Sequence, residues 1–244
     1  MNARCWMGAL MLCLVASSAV AQETMEEIVV TGMRGGDGAA MPGTFLRKTG
    51  DYILLEVEVT NDTREEKGRK DEIYATLRAA LAAAKKDGTV ELSVIDENGL
   101  VIPLKVDSAT VVLQKGDRAD TSATRISVKT KIPSQNANGQ ALISKLKDFV
   151  GNIKVEGRTK LDPDGDVDIS IVGPNRYRDE IIVLYAGDVK RITSVLGGDY
   201  KVVTTGIDRP VKWVRIGLLE LALFVPYRFD VLPSTVTTYT APSE

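Results

Sequence analysis

The sequence contains no histidine, and its two cysteines, Cys5 and Cys13, both fall near the amino terminus. The first absence removes the Ser-His-Asp and Cys-His catalytic groupings and every histidine-based zinc site. The second gains force from the segment in which the cysteines lie. Residues 1–21 read as a signal peptide: Arg4 precedes the apolar run "MGALMLCLVA", and "SSAVAQ" sets Ala19 and Ala21 at the small-residue positions of a cleavage site. The apolar run is shorter than the ~20 residues a membrane span requires, which argues against a retained anchor. Cys13 follows "LML", which lacks the small residues expected before a lipidated cysteine. Cleavage after Ala21 leaves a chain with no thiol for a disulfide, a metal or nucleophilic attack, so its core alone must stabilise it. Loss of Arg4 takes the formal charge of -2 to -3 (-2 - 1 = -3). No long basic run exists to follow a phosphate backbone, which argues against nucleic acid as a partner.

Long hydrophobic runs are also missing from the remainder. The most apolar stretch, "WVRIGLLELALFVPYRF", is interrupted by Arg215, Glu220 and Pro226 and reads as a long strand or a hairpin arm. The apolar content otherwise suffices for the core of one generous domain or two small ones.

What is present begins with "EEIVVTGMR", residues 26–34, a short strand pattern followed by a glycine-rich connector from Gly32 to Gly43. No helix-periodic segment follows those glycines within reach, so they read as a flexible linker rather than a phosphate cradle. From Asp51 the chain alternates, with Ile53, Leu55, Val57 and Val59 on one face and Leu54, Glu56, Glu58 and Thr60 on the other, the pattern of a half-buried strand. Thr63 and Glu66 have capping-box spacing before a helix carrying Ile73, Leu77, Ala80, Leu81 and Ala84 and stopping at Gly88. Arg64, Glu65, Lys67 and Arg69 read as its solvated face. Strands are expected at "TVELSVID", "ATVVLQK" and "TRISVKTKI". In the last, Ile126, Val128 and Ile132 oppose Arg125, Ser127, Lys129 and Lys131, which predicts a sheet with one polar face. A second helix is expected over Gly139–Val150, a hairpin about a Pro-Asp-Gly turn at Pro163, and a third helix over Asn175–Leu196 with core or rim roles for Tyr177 and Tyr185. Two strands and a fraying Ser/Thr/Pro-rich tail close the chain. The order predicts an α+β fold, a mostly antiparallel sheet packed by about three helices, with a long carboxy-terminal strand pair.

Two acidic groupings are candidates for chemistry. Asp162, Asp164, Asp166 and Asp168 alternate near the turn, but Gly165 falls in the wrong place for a helix-loop-helix calcium site and the segment runs straight into "VDISIV". A turn is the better reading, and no metal or other cofactor is expected. Carboxylates such as Asp162, Asp164, Asp166, Glu56 and Glu58 serve catalysis only on elements that converge in a pocket, and spacing of two along a strand does not supply that. No enzymatic activity is expected.

Taken in order, "IVVTGMRGG", "YILLEVEVTND", the Thr63–Lys86 helix, "ATRISVKTKI", "ISKLKDFVGNI", the turn at Pro163, "RDEIIVLYAGDVKRITSVLGG" and "ELALFVPYRFDV" resemble the SIMPL-domain family, many of whose members are exported to the bacterial periplasm. The resemblance spans nearly all of the chain after residue 21, in order and pattern more than identity, and the third helix lacks the family's alanine-rich character. It implies a diverged SIMPL-like α+β domain over residues 44–233, preceded by an amino-terminal strand and connector over 22–43 and followed by a flexible tail over 234–244. It implies no agreed catalytic residues. It does imply a non-enzymatic periplasmic binding or assembly module that associates with itself, since one family member forms a ring.

The opening stretch also resembles the TonB box of outer-membrane TonB-dependent receptors, an extended peptide that adds a strand to the sheet of TonB. Glu27, Ile28, Val29, Val30, Thr31 and Gly32 would then be partner-binding residues, and the protein an accessory of TonB-linked outer-membrane transport. A complete receptor is excluded by length, because its transmembrane barrel needs far more chain. The same residues therefore carry two expectations, a first strand buried in the domain's sheet or a docking strand.

Overall fold

The computed structural model describes residues 26–30, 41–116, 118 and 120–237. The expected signal peptide, Thr31 and Gly32, and residues 238–244 of the tail lie outside the described residues. The strands are β1 (Glu27–Val30), β2 (Leu46–Thr49), β3 (Tyr52–Asn61), β4 (Val90–Ile95), β5 (Val101–Pro103), β6 (Gln114–Lys115), β7 (Ser122–Lys131), β8 (Thr159–Val172), β9 (Tyr200–Thr205), β10 (Lys212–Arg215), β11 (Glu220–Phe224) and β12 (Arg228–Pro233). The helices are α1 (Glu66–Asp87), α2 (Gly139–Gly151) and α3 (Arg178–Leu196), the last entered through a single 3₁₀ turn, Pro174–Tyr177. The protein is thus mixed α+β with mostly antiparallel sheets. Among the described residues no helix is long and apolar enough to cross a membrane.

The principal sheet runs β1-β8-β3-β7-β4-β5, with β6 added to β7. Its central strand, β3, pairs antiparallel over its whole length with β7, from Tyr52 opposite Lys131 to Asn61 opposite Ser122. Directly opposed residues share a face. Ile53, Leu55, Val57 and Val59 therefore align with Ile126, Val128, Val167 and Ile169, all buried, and this face packs against Ile73, Leu77 and Ala80 of α1 and Leu146 and Val150 of α2. Each large side chain so buried contributes on the order of 2 kcal/mol. Leu221, Leu223 and Val225 extend the same core into the smaller sheet β10-β11-β2. A separate ribbon pairs β9 with β12.

Helix ends are set by local chemistry. Gly88 closes α1 in the left-handed conformation, φ 74°, with its amide donating to Ala84 O, as the glycine stop predicts. Asn138 caps α2 by accepting from the Ala141 amide at 3.1 Å. The capping box expected at Thr63 and Glu66 does not form. Glu65 is the N-cap residue without a side-chain bond, and the Thr63 hydroxyl turns to Glu72 instead.

Four other expectations are corrected. The segment around Pro163 is not a hairpin but one long strand, β8. Both of its halves stay antiparallel to β3, Thr159–Pro163 opposite Asn61–Val57 and Val167–Ser170 opposite Leu55–Tyr52, and the intervening residues form a bulge. Proline in a strand is tolerated at such a bulge because no ladder donor is needed there. "ATVVLQK" contributes only Gln114–Lys115, since a turn held by the Asp107 carboxylate on the amides of Ala109 and Thr110 occupies its start. The long apolar carboxy-terminal segment is divided among β10, β11 and β12. Arg215 ends β10 by donating to the carbonyls of Gly217 and Leu218 at 3.1 Å each, which fixes the turn into β11. Finally, Arg69 is not solvated: it is 8% exposed and donates to Ser122 Oγ at 2.9 Å.

β2 and the pairing of β4 with β5 lie beyond the sequence expectations. The β4–β5 hairpin turns at Asp96–Gly99, where the Asp96 carboxylate accepts from the amides of Asn98 and Leu100 and Gly99 adopts φ 80°. At the start of the tail, Ser234 Oγ donates to Gly198 O at 2.7 Å.

Candidate functional site

Of the six residues singled out from sequence, Glu27, Ile28, Val29 and Val30 form β1, and the structure shows what holds them. β1 pairs antiparallel with the end of β8, Glu27 opposite Val172 through Val30 opposite Ile169. Peptide groups on successive residues of a strand point to opposite edges. The far edge of β1 is used as well: the Val29 amide donates to Gly99 O at 3.0 Å, and Ile28 bridges Leu100. The principal sheet thereby folds round on itself, with β1 touching β8 at one end of the strand order and the β4–β5 turn at the other. Val29 and Val30 are buried.

This closure changes the chemistry of the face opposite the helices. On that face Glu58, Arg125 and Lys131 are exposed, in keeping with the polar face expected from Arg125, Ser127, Lys129 and Lys131, whereas Ser127 and Lys129, beside Tyr52, Leu54, Ser93 and Ser170, are buried. Lys129 has a side chain only 7% exposed. Its ammonium is paired with the Glu27 carboxylate, lies 3.4 Å from Glu91 Oε2 and sits 4.2 Å from the Tyr52 ring centroid. The second oxygen of Glu27 accepts from Ser170 Oγ at 2.6 Å. Tyr52 feels the same enclosure: burial, and then the carboxylates of Glu91, Glu27 and Asp51, push its hydroxyl above the ordinary phenol value. Ser127 Oγ is buried with no partner among the described residues. Glu27 thus anchors the opening strand by charge, while Val29 and Val30 anchor it by burial.

A second polar node ties α1 to the start of β8. Glu72 Oε2 accepts from Asn61 Nδ2 at 2.7 Å, Thr63 Oγ1 at 2.8 Å and the Arg158 amide at 2.8 Å. The Asn61 hydrogen bond, followed by those from Arg158 and Thr63, holds this carboxyl below its ordinary value. Asn61 itself is buried and also donates to Thr159 Oγ1 at 3.0 Å. The structural roles of Lys129, Arg69 and Glu72 leave no signal in the sequence. A lysine in an alternating strand looks the same whether its face is wet or covered.

Of the acidic residues considered as candidate chemistry, Glu56, Glu58, Asp162 and Asp168 line none of the cavities described here. Glu58 faces Asp162 across the β3–β8 pair, both exposed, and Glu56 pairs with Arg125 at 3.4 Å. Asp168 lies 4.0 Å from Arg215. Among the described residues no group of three or more carboxylates is placed to hold a metal.

The carboxy-terminal elements form a different kind of surface. α3 buries only Ile181 and Tyr185 fully. Tyr185 packs edge-on against Tyr227, with ring centroids 3.8 Å apart, and its hydroxyl, unpartnered among the described residues, is pushed up to about 12 by burial and then by Tyr227 and Asp188. Arg178 fixes the start of the helix by donating to the carbonyls of Arg209 and Ile207. Along its outer side, Val183, Leu184 and Val195 are exposed, the last by 82%. Leu184 and Val195, eleven residues apart, complete three turns and share one stripe. Tyr200 and Val231 add exposed apolar surface on the adjoining β9–β12 ribbon. Set against protein-family models, curated proteins and solved structures, the chain matches none of them.

Proposed function

We propose that this protein is a non-enzymatic, exported periplasmic module of the SIMPL type that works by associating with itself. The observation that carries this reading is the concentration of exposed apolar side chains on α3 and the β9–β12 ribbon. Of the large apolar residues exposed among the described residues, Val183, Leu184, Val195, Leu196, Tyr200 and Val231 belong to these elements. Exposed apolar area gathered on one structural unit marks an interaction surface. The ribbon adds free backbone on both outer edges, since among the described strands β9 and β12 pair only with each other. A second copy is the simplest occupant, because an isologous contact lets one patch cover itself.

Light scattering coupled to gel filtration tests the proposal. The protein is expected to run as a defined oligomer at micromolar concentration, and Val183→Glu combined with Val195→Glu to run as a monomer with an unchanged unfolding midpoint. A wild-type protein that remains monomeric across that range refutes self-association.

The alternative, an accessory of TonB-linked transport that docks through residues 26–34, asks more of the same residues. Adding β1 to another sheet requires breaking its contact with Gly99 and Leu100 or its pairing with β8, and removing Glu27 from Lys129. These contacts favour the strand as a structural element.

A further inference from the structure

A cavity of about 520 Å³ opens beside the first turn of α1, between that helix and the β6–β7 corner. Its lining includes Glu66, Lys67, Arg69, Lys70, Lys115 and Ser122, which carry four positive charges and one negative, a net of +3 (4 - 1 = 3). The chain as a whole carries -2, so this concentration of positive charge runs against the overall composition.

Arg69 gives the cavity its fixed point. The residue is 8% exposed, with Nε donating to Ser122 Oγ at 2.9 Å and Nη1 to the carbonyls of Thr63 and Arg64 at 3.0 and 3.2 Å. Those bonds hold the guanidinium plane from two sides. Nη2 is left with no acceptor among the described residues. A nearly buried, oriented guanidinium with an open nitrogen is already organised for an anion, because little rotamer freedom remains to be lost on binding. The helix adds to this. Its first intrahelical bond is donated by the Arg69 amide to Glu65 O, and the Glu65 side chain makes no cap, so the amides of Glu66, Lys67 and Gly68 begin the helix without a side-chain acceptor from the N-cap. Lys67, Lys70 and Lys115 are exposed around the opening, and among the described residues none of them is ion-paired. Lys70 instead lies 5.4 Å from the Tyr74 ring centroid.

We propose that this cavity binds a small phosphate-bearing anion carrying two or more charges. A volume of this size lies within the roughly 300–1,000 Å³ typical of small-molecule sites and exceeds what a single carboxylate would fill. The oriented arginine supplies directional donors for phosphate oxygens, the amino-terminal end of α1, whose Glu66 and Lys67 line the cavity, adds the positive end of the helix dipole, and the three lysines act as point charges at the rim. The site lies apart from α3 and the ribbon and does not depend on self-association.

Titration calorimetry of the intact protein with inorganic pyrophosphate at low ionic strength tests this. One equivalent is expected to bind, more tightly than orthophosphate or sulfate. Lys67→Glu combined with Lys115→Glu is expected to weaken binding at least tenfold, with the unfolding midpoint of the ligand-free protein unchanged. A control, Lys86→Glu combined with Lys145→Glu on a different surface, is expected to bind as the wild type does. The proposal is overturned by the absence of saturable binding up to about 10 mM, by undiminished binding in the first variant, or by an equal loss in the control, which would mark a diffuse charge effect.

Discussion

Replacing Lys129 by alanine is expected to destabilise the protein by about 3 kcal/mol, the usual cost of leaving one member of a buried ion pair unpartnered. The side chains of Lys129 and Glu27 are 7% and 13% exposed, so water can replace the lost ammonium only if the closure opens. The loss should therefore be local before it is global. Urea unfolding would read the change in stability, and amide hydrogen exchange would read its place. In the wild type, Ile28–Val30 should exchange slowly. In Lys129→Ala they should become the fastest-exchanging strand residues, while Leu54–Val57 at the centre of the sheet stay protected. The double variant Lys129→Met with Glu27→Gln should recover much of the loss, because neither member of the buried pair is then charged and the introduced amide oxygen can still accept from Ser170. Fast exchange of β1 in the wild-type protein would sink the anchoring argument. Protection acquired only on adding a TonB carboxy-terminal domain would turn the strand into a docking element.

Gly157→Ala is expected to be comparably severe for a different reason. Gly157 sits at φ 59°, where an alanine costs roughly 1–2 kcal/mol by backbone conformation alone. An added Cβ would also fall 2.1 Å from Glu72 Cδ and 2.2 Å from Oε2, so the carboxylate must leave Asn61, Thr63 and Arg158 together. The stability loss should accordingly shrink in a Glu72→Ala background, where the space is open and only the backbone penalty remains. The node also gives a pH signature. Glu72 is held below its ordinary carboxyl value in the folded state, so its contribution is fully present above the unfolded value near 4.5 and disappears as pH falls through the lower folded value. Glu72→Gln should unfold at a lower temperature than the wild type at neutral pH, and the gap should narrow progressively in acid. A gap independent of pH would remove the carboxylate from the account.

The parts of this fold that are legible in the sequence share one property: their signal is local. The alternation of Ile53–Val59, the stripe and glycine stop of α1, and the bounds of α2 all follow from neighbours within a few residues. The parts that are not legible depend on distant chain. Pro163 and Gly165 look like a turn in isolation and form a bulge because β3 continues past them on one side. Lys129 and Ser127 look solvent-facing in the sequence, yet both are buried, Lys129 against Glu27 of the opening strand. Arg69 looks like one more charge on a helix, and only the position of Ser122 beside it makes it a buried tie. For the candidate site the residues Glu27–Val30 can be named from sequence, but their double-sided engagement cannot. It rests on Gly99 and Ser170, far along the chain.

The closure made by β1 also bears on time. Glu27 and Ser170 are 143 residues apart, so β1, the first of the described strands, can find its principal partner only after most of the described chain has been synthesised. Contacts of such separation slow folding, because a long loop must be ordered before they yield any return. Until then "EIVV" is a short β-branched segment with free backbone on both edges, able to pair with whatever strand it meets. Glu26 and Glu27, which precede the apolar residues directly, give that waiting segment a negative charge that disfavours pairing with its own copies. One of the two is then withdrawn into the ion pair with Lys129 when the sheet closes.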